Sequence, residues 1–181
     1  MLFIDMEKGI GAVQYINGQV PRRILGEVGH TTVEKDGDPC FCGNNGCLEV
    51  MCSPARVISL YASSSGSSAD RLKEIENLYK AGDKSAVYAI NNCGKYLGIG
   101  LANLVNLFNP SSIVINAGDF KDCPSVFLCA EDELRKRAYP SLTENIKIER
   151  VELAEEDIIF GSADSLCDRL FNASSSNCPV E

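Results

Sequence analysis

No run of lysine and arginine longer than the three residues Arg135-Lys136-Arg137 occurs in the 181-residue chain, whose formal net charge is −8. Neutralising a phosphate backbone needs basic side chains gathered on one surface, so the charge argues against a nucleic-acid-binding face spread over this chain. No apolar run is long enough to cross a bilayer, and the start lacks the charged and apolar regions of a secretory leader. The expectation is therefore a protein without membrane insertion, placed in the cytoplasm, where thiols stay reduced. Histidine is nearly absent, His30 being the only one. What remains is ordinary for one α/β domain with a sizeable core: 45% hydrophobic and 23% charged residues.

The lone histidine stands ahead of three cysteines in a turn-rich loop, Cys40, Cys42 and Cys47. One imidazole and three thiols form a ligand set that tetrahedral zinc takes in structural sites, with no position left for water. Gly43 and Gly46 can supply the positive φ angles that fold such a loop around an ion. Two other readings stay open, a reduced loop whose cysteines cluster by composition, and a disulfide. Against the second, Cys40 and Cys42 are too close to bridge comfortably, and the total of 9 cysteines is odd. If His30 serves a metal, no Ser-His-Asp or Cys-His arrangement remains, and no catalytic residue is assigned. The acidic run Glu155-Glu156-Asp157 reads as a charged turn.

Gly26-Glu27-Val28-Gly29-His30, followed by Cys40-x-Cys42-Gly43-Asn44-Asn45-Gly46-Cys47-Leu48-Glu49, resembles the signature of the ROK family of sugar kinases and sugar-responsive transcriptional repressors. The likeness extends, more weakly, over residues 1–171. It implies an α/β lobe of the ribonuclease-H-like, actin and hexokinase superfamily type, with a mixed sheet, flanking helices and a zinc-binding loop at 30–49. It further implies that Glu27, His30 and Glu49 reach sugar hydroxyls, with His30 bridging metal and sugar. The zinc would then hold the loop and orient His30 and Glu49 without acting as a catalyst. A chain that opens on a strand reads as the second lobe alone, with DNA contacted only through an N-terminal domain that precedes it in the family's regulators.

In chain order, strands are expected over 2–6 and 12–16, with Asn17-Gly18 as a hairpin turn into a third strand over 19–24. Ser53-Pro54 caps a helix over 55–62, and the serine-rich stretch 63–68 reads as a linker. Helical spacing of Leu72, Ile75, Leu78 and Tyr79 gives a helix that Gly82 ends. A longer helix follows over 84–108, its Gly94, Gly98 and Gly100 admitting a close neighbour, and Asn109-Pro110 stops it. A strand over 113–115, a helix over 126–139, a strand over 146–151, a helix over 158–170 and a disordered tail over 172–181 complete the reading. Apolar surface left open by a half-molecule, together with the glycine-interrupted helix, points to a homo-oligomer.

Two loops depart from the kinase pattern that the resemblance brings. The phosphate turn reads Glu7-Lys8-Gly9-Ile10-Gly11, with a carboxylate where polyphosphate must approach. After the 113–115 strand stands Asn116-Ala117-Gly118-Asp119, where nucleotide-binding members have consecutive glycines, so side chains are expected to crowd a nucleoside. Gly9, Gly11 and Gly118 thus read as a degenerate nucleotide loop. The expected function is the lobe of a ROK-type regulator of carbohydrate metabolism that senses a sugar or sugar phosphate and self-associates, without kinase activity. The alternative is the zinc-bearing lobe of an ATP-dependent sugar kinase.

Overall fold

The computed structural model of the protein describes residues 1–16, 26–154 and 156. The chain divides into two compact units, Met1–Val151 and Glu152–Glu181, and the first contains the sheet and the helices that position the site. The Asn17-Gly18 turn, the strand expected over 19–24, the helix over 158–170, the lobe boundary at 171 and the tail over 172–181 lie outside the described residues.

The first strands are β1, Leu2–Asp5, and β2, Gly11–Gln14, antiparallel to it. The sheet runs β2-β1-β3-β4, with β3 at Ser112–Asn116 and β4 at Lys147–Val151, and β1, β3 and β4 are mutually parallel. The result is the mixed sheet expected of the ribonuclease-H-like class. Its core registers alternate residues: Leu2 stands opposite Ile113 and Ile4 opposite Ile115, and all four are essentially buried.

Between β2 and β3 come the helices. A 3-10 turn at Val28–His30 and the short α1, Leu48–Met51, bracket the cysteine loop and have no periodic signal in the sequence. The helix α2 is Pro54–Ser65, and Ser53 caps it by accepting a hydrogen bond from the Arg56 amide at 3.2 Å. It runs past the expected end at 62, because Ser63 donates back to the Leu60 carbonyl at 3.0 Å and leaves the helical path intact. Gly66, at φ +69°, stops it. Next stand α3, Leu72–Lys80, closed by Gly82, and α4, Lys84–Phe108, capped by Asp83 and ended by Asn109 at φ +42°. A 3-10 turn at Gly118–Asp122, α5 at Ser125–Arg137 and α6 at Pro140–Thr143 follow β3.

The glycines of α4 are used within the chain. A methyl group at Gly94 would sit 2.5 Å from Cys129 Cβ, and one at Gly98 2.6 Å from the Ala130 carbonyl, so both admit the backbone of α5. One at Gly100 would lie 2.6 Å from Leu48 Cδ2 on α1. These glycines therefore face neighbours in the same molecule and do not themselves point to self-association. Gly94→Ala and Gly98→Ala should each lower stability by about 1–3 kcal/mol through overpacking. In chemical denaturation Gly11→Ala, which meets no atom within 4 Å, should stay within about 0.5 kcal/mol of the parent. Equal effects at all three positions would refute this account of the α4–α5 contact.

Candidate functional site

The cysteine loop folds on itself through backbone bonds. Cys40 N donates to Asn44 O at 2.8 Å, Gly46 N to Asp38 O at 2.8 Å, and Val33 N to Gly46 O at 2.8 Å. Gly43 and Gly46 adopt φ of +92° and +65°, the left-handed region that the loop reading required. At Gly46 there is a second reason, because a methyl group there would fall 1.6 Å from the Glu34 carbonyl oxygen.

These turns bring His30, Cys40, Cys42 and Cys47 together, their ligand atoms all within 4.8 Å of one another, so the cluster could hold a metal ion. His30 Nδ1 lies 3.5 Å from Cys40 Sγ, and Cys42 Sγ lies 3.6 Å from Cys47 Sγ. The imidazole therefore turns Nδ1 toward the thiols, and its ring meets Phe41 edge-on at 5.0 Å. Asn44 Nδ2 is 3.6 Å from Cys47 Sγ and donates to Thr32 Oγ1 at 2.8 Å, so an amide N–H supports the buried sulfur. The thiols differ in proton affinity. The backbone amide of Asn44 lowers Cys42, which is exposed, whereas burial pushes Cys47 up to about 11. A chelate at this place must displace the proton that Cys47 holds at neutral pH.

Cys47 leads directly into α1, and α1 carries Glu49. The Ile10 amide donates to Glu49 Oε2 at 3.1 Å. Methyl groups at Gly9 and Gly29 would lie 2.6 Å and 3.2 Å from the same oxygen, so both glycines make room for this carboxylate. Glu49 lines a cleft of about 330 Å³ together with Glu7, Lys8, Gly9, Asp119 and the first residues of α2. Glu27 is exposed and immediately precedes the 3-10 turn that bears His30.

The nucleotide-loop residues are placed differently from one another. Gly11 has open space around its Cα, whereas a methyl group at Gly118, φ +51°, would meet the Met6 carbonyl at 2.4 Å, so Gly118 lets two loops touch. Asn116 is buried and donates from Nδ2 to Asp5 Oδ1 at 2.8 Å, and Ala117 is buried as well. Neither lines the cleft, so the crowding expected at the nucleoside end has no support from these two side chains. The carboxylate of Glu7 does line it.

Sequence reasoning missed a polar network behind the loop. Arg56 of α2 pairs through Nη1 with Asp38 Oδ2, and its Nε donates to Asn92 Oδ1 at 3.4 Å. Its guanidinium lies 5.8 Å from the Tyr96 ring centre, and Tyr96 donates to Glu34 Oε2 at 3.3 Å. Separations of 18, 36 and 62 residues leave no local pattern that could have revealed these bonds. Exposure and proton affinity together give a labelling order. In metal-free protein iodoacetamide should modify Cys42 first and leave buried Cys93 and Cys123 unmodified. Peptide mass spectrometry reads the order, and early loss of Cys93 or Cys123 would contradict the burial described.

With the geometry in place, likeness to known proteins can be stated. The profile described as ROK family matches residues 1–163. The xylose repressor of Bacillus subtilis (strain 168) is 28% identical over 176 residues, covering 95% of this chain and 45% of the repressor. The DNA-binding transcriptional repressor Mlc of Escherichia coli (strain K12) is 31% identical over 158 residues, covering 83% of this chain and 39% of Mlc. The chain thus spans less than half the length of these curated relatives. Among solved structures, a ROK family transcriptional regulator, homologous to E. coli Mlc, superposes with a TM-score of 0.75 at 27% identity, covering 90% of this chain and 44% of that one. A ROK hexokinase from Thermus thermophilus superposes with a TM-score of 0.68 at 26% identity, covering 91% of this chain and 57% of that one. Among the described residues no helix is long and apolar enough to cross a membrane. Motif, sheet and matched span agree, and the chain belongs to the ROK family.

Proposed function

We propose that this chain is the effector-sensing and self-associating lobe of a cytoplasmic ROK-type transcriptional regulator of carbohydrate metabolism, with zinc in its cysteine loop. The observation that carries the reading is the continuity of the metal cluster with the cleft: Cys47 ends the cluster, and two residues later Glu49 presents its carboxylate beside Ile10. A tetrahedral zinc site, with Zn–S near ~2.3 Å and Zn–N near ~2.0–2.1 Å, sets sulfur–sulfur and sulfur–nitrogen separations of about 3.8 and 3.6 Å. The 3.6 Å and 3.5 Å found for two of the pairs agree with those values, and all four ligand atoms lie within 4.8 Å of one another. Bound zinc would supply a cross-link that fixes the loop. Recognition would fall to Glu27, His30 and Glu49, whose carboxylates and imidazole suit the hydroxyl groups of a sugar. With Nδ1 directed at the thiols, the other ring nitrogen of His30 is the one free to meet a hydroxyl.

Support for the regulator reading over the kinase reading comes from Glu7. At ~4 Å its charge would repel a phosphate oxygen by about 1 to 4 kcal/mol for an effective dielectric between 80 and 20, with Lys8 offsetting part. Two curated relatives that cover most of this chain carry the names of a xylose repressor and a DNA-binding transcriptional repressor. Likeness to a ROK hexokinase keeps the kinase lobe as the second reading. For self-association the support is a pair of exposed apolar side chains, Leu107 at 74% and Tyr139 at 68%, adjoining through the Tyr139 amide on Asn106. DNA would be contacted through a domain outside this chain.

The test uses the whole parent protein. Metal analysis should give one zinc per chain, lost in Cys42→Ser. Calorimetry should show binding of a sugar or sugar phosphate, weakened about 10- to 100-fold by Glu49→Gln, the span expected for losing a hydrogen bond to a charged group. A metal-free native protein overturns the zinc assignment. ATP binding with phosphorylation of any hexose overturns the regulator reading and installs the kinase one.

A further inference from the structure

We infer that Arg56 couples the metal loop to the effector cleft, acting as a positioning residue that fixes the cleft wall only while the loop is in place. The inference rests on the proposed function for the identity of both ends. Its own basis is the network around one residue of α2.

Arg56 reaches both ends at once. Its backbone amide donates to Ser53 Oγ, and Ser53, Pro54 and Ala55 line the cleft. Its side chain leaves the cleft and meets Asp38, two residues before Cys40 in the loop. Asp38 in turn accepts the Gly46 amide through its carbonyl at 2.8 Å, one residue before Cys47. The guanidinium also donates to Asn92 and lies against Tyr96, which holds Glu34 of the same loop. The Arg56 side chain is 13% exposed and that of Asp38 56%. The pair is therefore half screened, and its importance lies in geometry, since a planar fork addresses an acid, an amide and an aromatic face in one orientation.

The covalent path from Cys47 to Glu49 passes along one side of the cleft. The path through Asp38 and Arg56 reaches the cleft lining at Ser53, four residues further along the chain. With both paths intact, loss of metal loosens the cleft lining at Glu49 and at Ser53. With the second cut, the Ser53 wall no longer follows the loop.

Asp38→Asn is the primary variant, because it changes an exposed acid and leaves the core untouched; Arg56→Lys keeps the charge and removes the fork. Three measurements are made on the full parent protein: the rate of zinc loss to a chromophoric chelator, the affinity for the sugar that the unmodified protein binds in calorimetry, and thermal unfolding. Asp38→Asn and Arg56→Lys should each speed zinc loss about tenfold, the range seen for outer-shell partners of metal ligands. Each should also weaken sugar binding severalfold, and the double variant should add little to either single one, as for residues acting through one contact. A purely structural role would shift thermal unfolding alone, as the core variant Val57→Ala does. If the unmodified protein binds sugar and both variants bind it equally well, the coupling is overturned while the proposed function stands. If the unmodified protein binds no sugar, the proposed function fails and this inference fails with it.

Discussion

Three sulfurs and one imidazole drawn within 4.8 Å are the constraint on which this half of the molecule depends. From Val28 to Cys47 the only buried apolar side chain between those two is Cys40. A loop of that length without a core of its own has little to offset the entropy of ordering its backbone. Its glycines lose more freedom than other residues on folding. A cation that requires four donors at fixed angles would supply what the missing apolar contacts do not, coupling metal binding to the ordering of the loop.

What the loop fixes is carried onward by Leu48 and Glu49. Leu48 is buried and its Cδ2 occupies the space that a side chain at position 100 would need. That wedge seats α1 on α4, and the next residue turns its carboxylate toward Ile10. The cleft at this point presents Glu7, Glu49 and Asp119 against Lys8. Carboxylates accept hydrogen bonds from hydroxyl groups and repel phosphate, so the electrostatics favour a polyol over a polyphosphate at this end.

The elements with local causes were legible in the sequence. Asp83, Gly82 and Asn109 bound α4 and its predecessor as their side chains and φ preferences require, and Gly94 and Gly98 meet α5 as their spacing implied. The clustering of His30, Cys40, Cys42 and Cys47 could be read because such a residue set is rare and its spacing short, and the fold brings the four together. Ser63 misled, since serine in a helix is unfavourable by propensity yet tolerated when its hydroxyl bonds back one turn. The place of Asn116 could not be read locally, because its amide is buried on Asp5 across the parallel register of β1 and β3, more than a hundred residues away in sequence. The Arg56 network was invisible because its partners are far apart in sequence and no local pattern joins them.

The long helix α4 explains why a loop and a cleft on one side of the molecule are tied to the packing on the other. Residues three and four apart share a helix face. Asn92, Cys93, Tyr96 and Gly100 form one stripe, meeting Arg56, Cys52, Glu34 and Leu48 in turn. Gly94 and Gly98 belong to the adjacent stripe and receive α5. Because α5 approaches to backbone contact there, α4 has no slack to rotate, and the first stripe is presented at a fixed angle. A displacement of the loop must then be taken up on the loop's own side, at Asp38, Arg56 and the first turn of α2, because the helix behind them is pinned by its glycines.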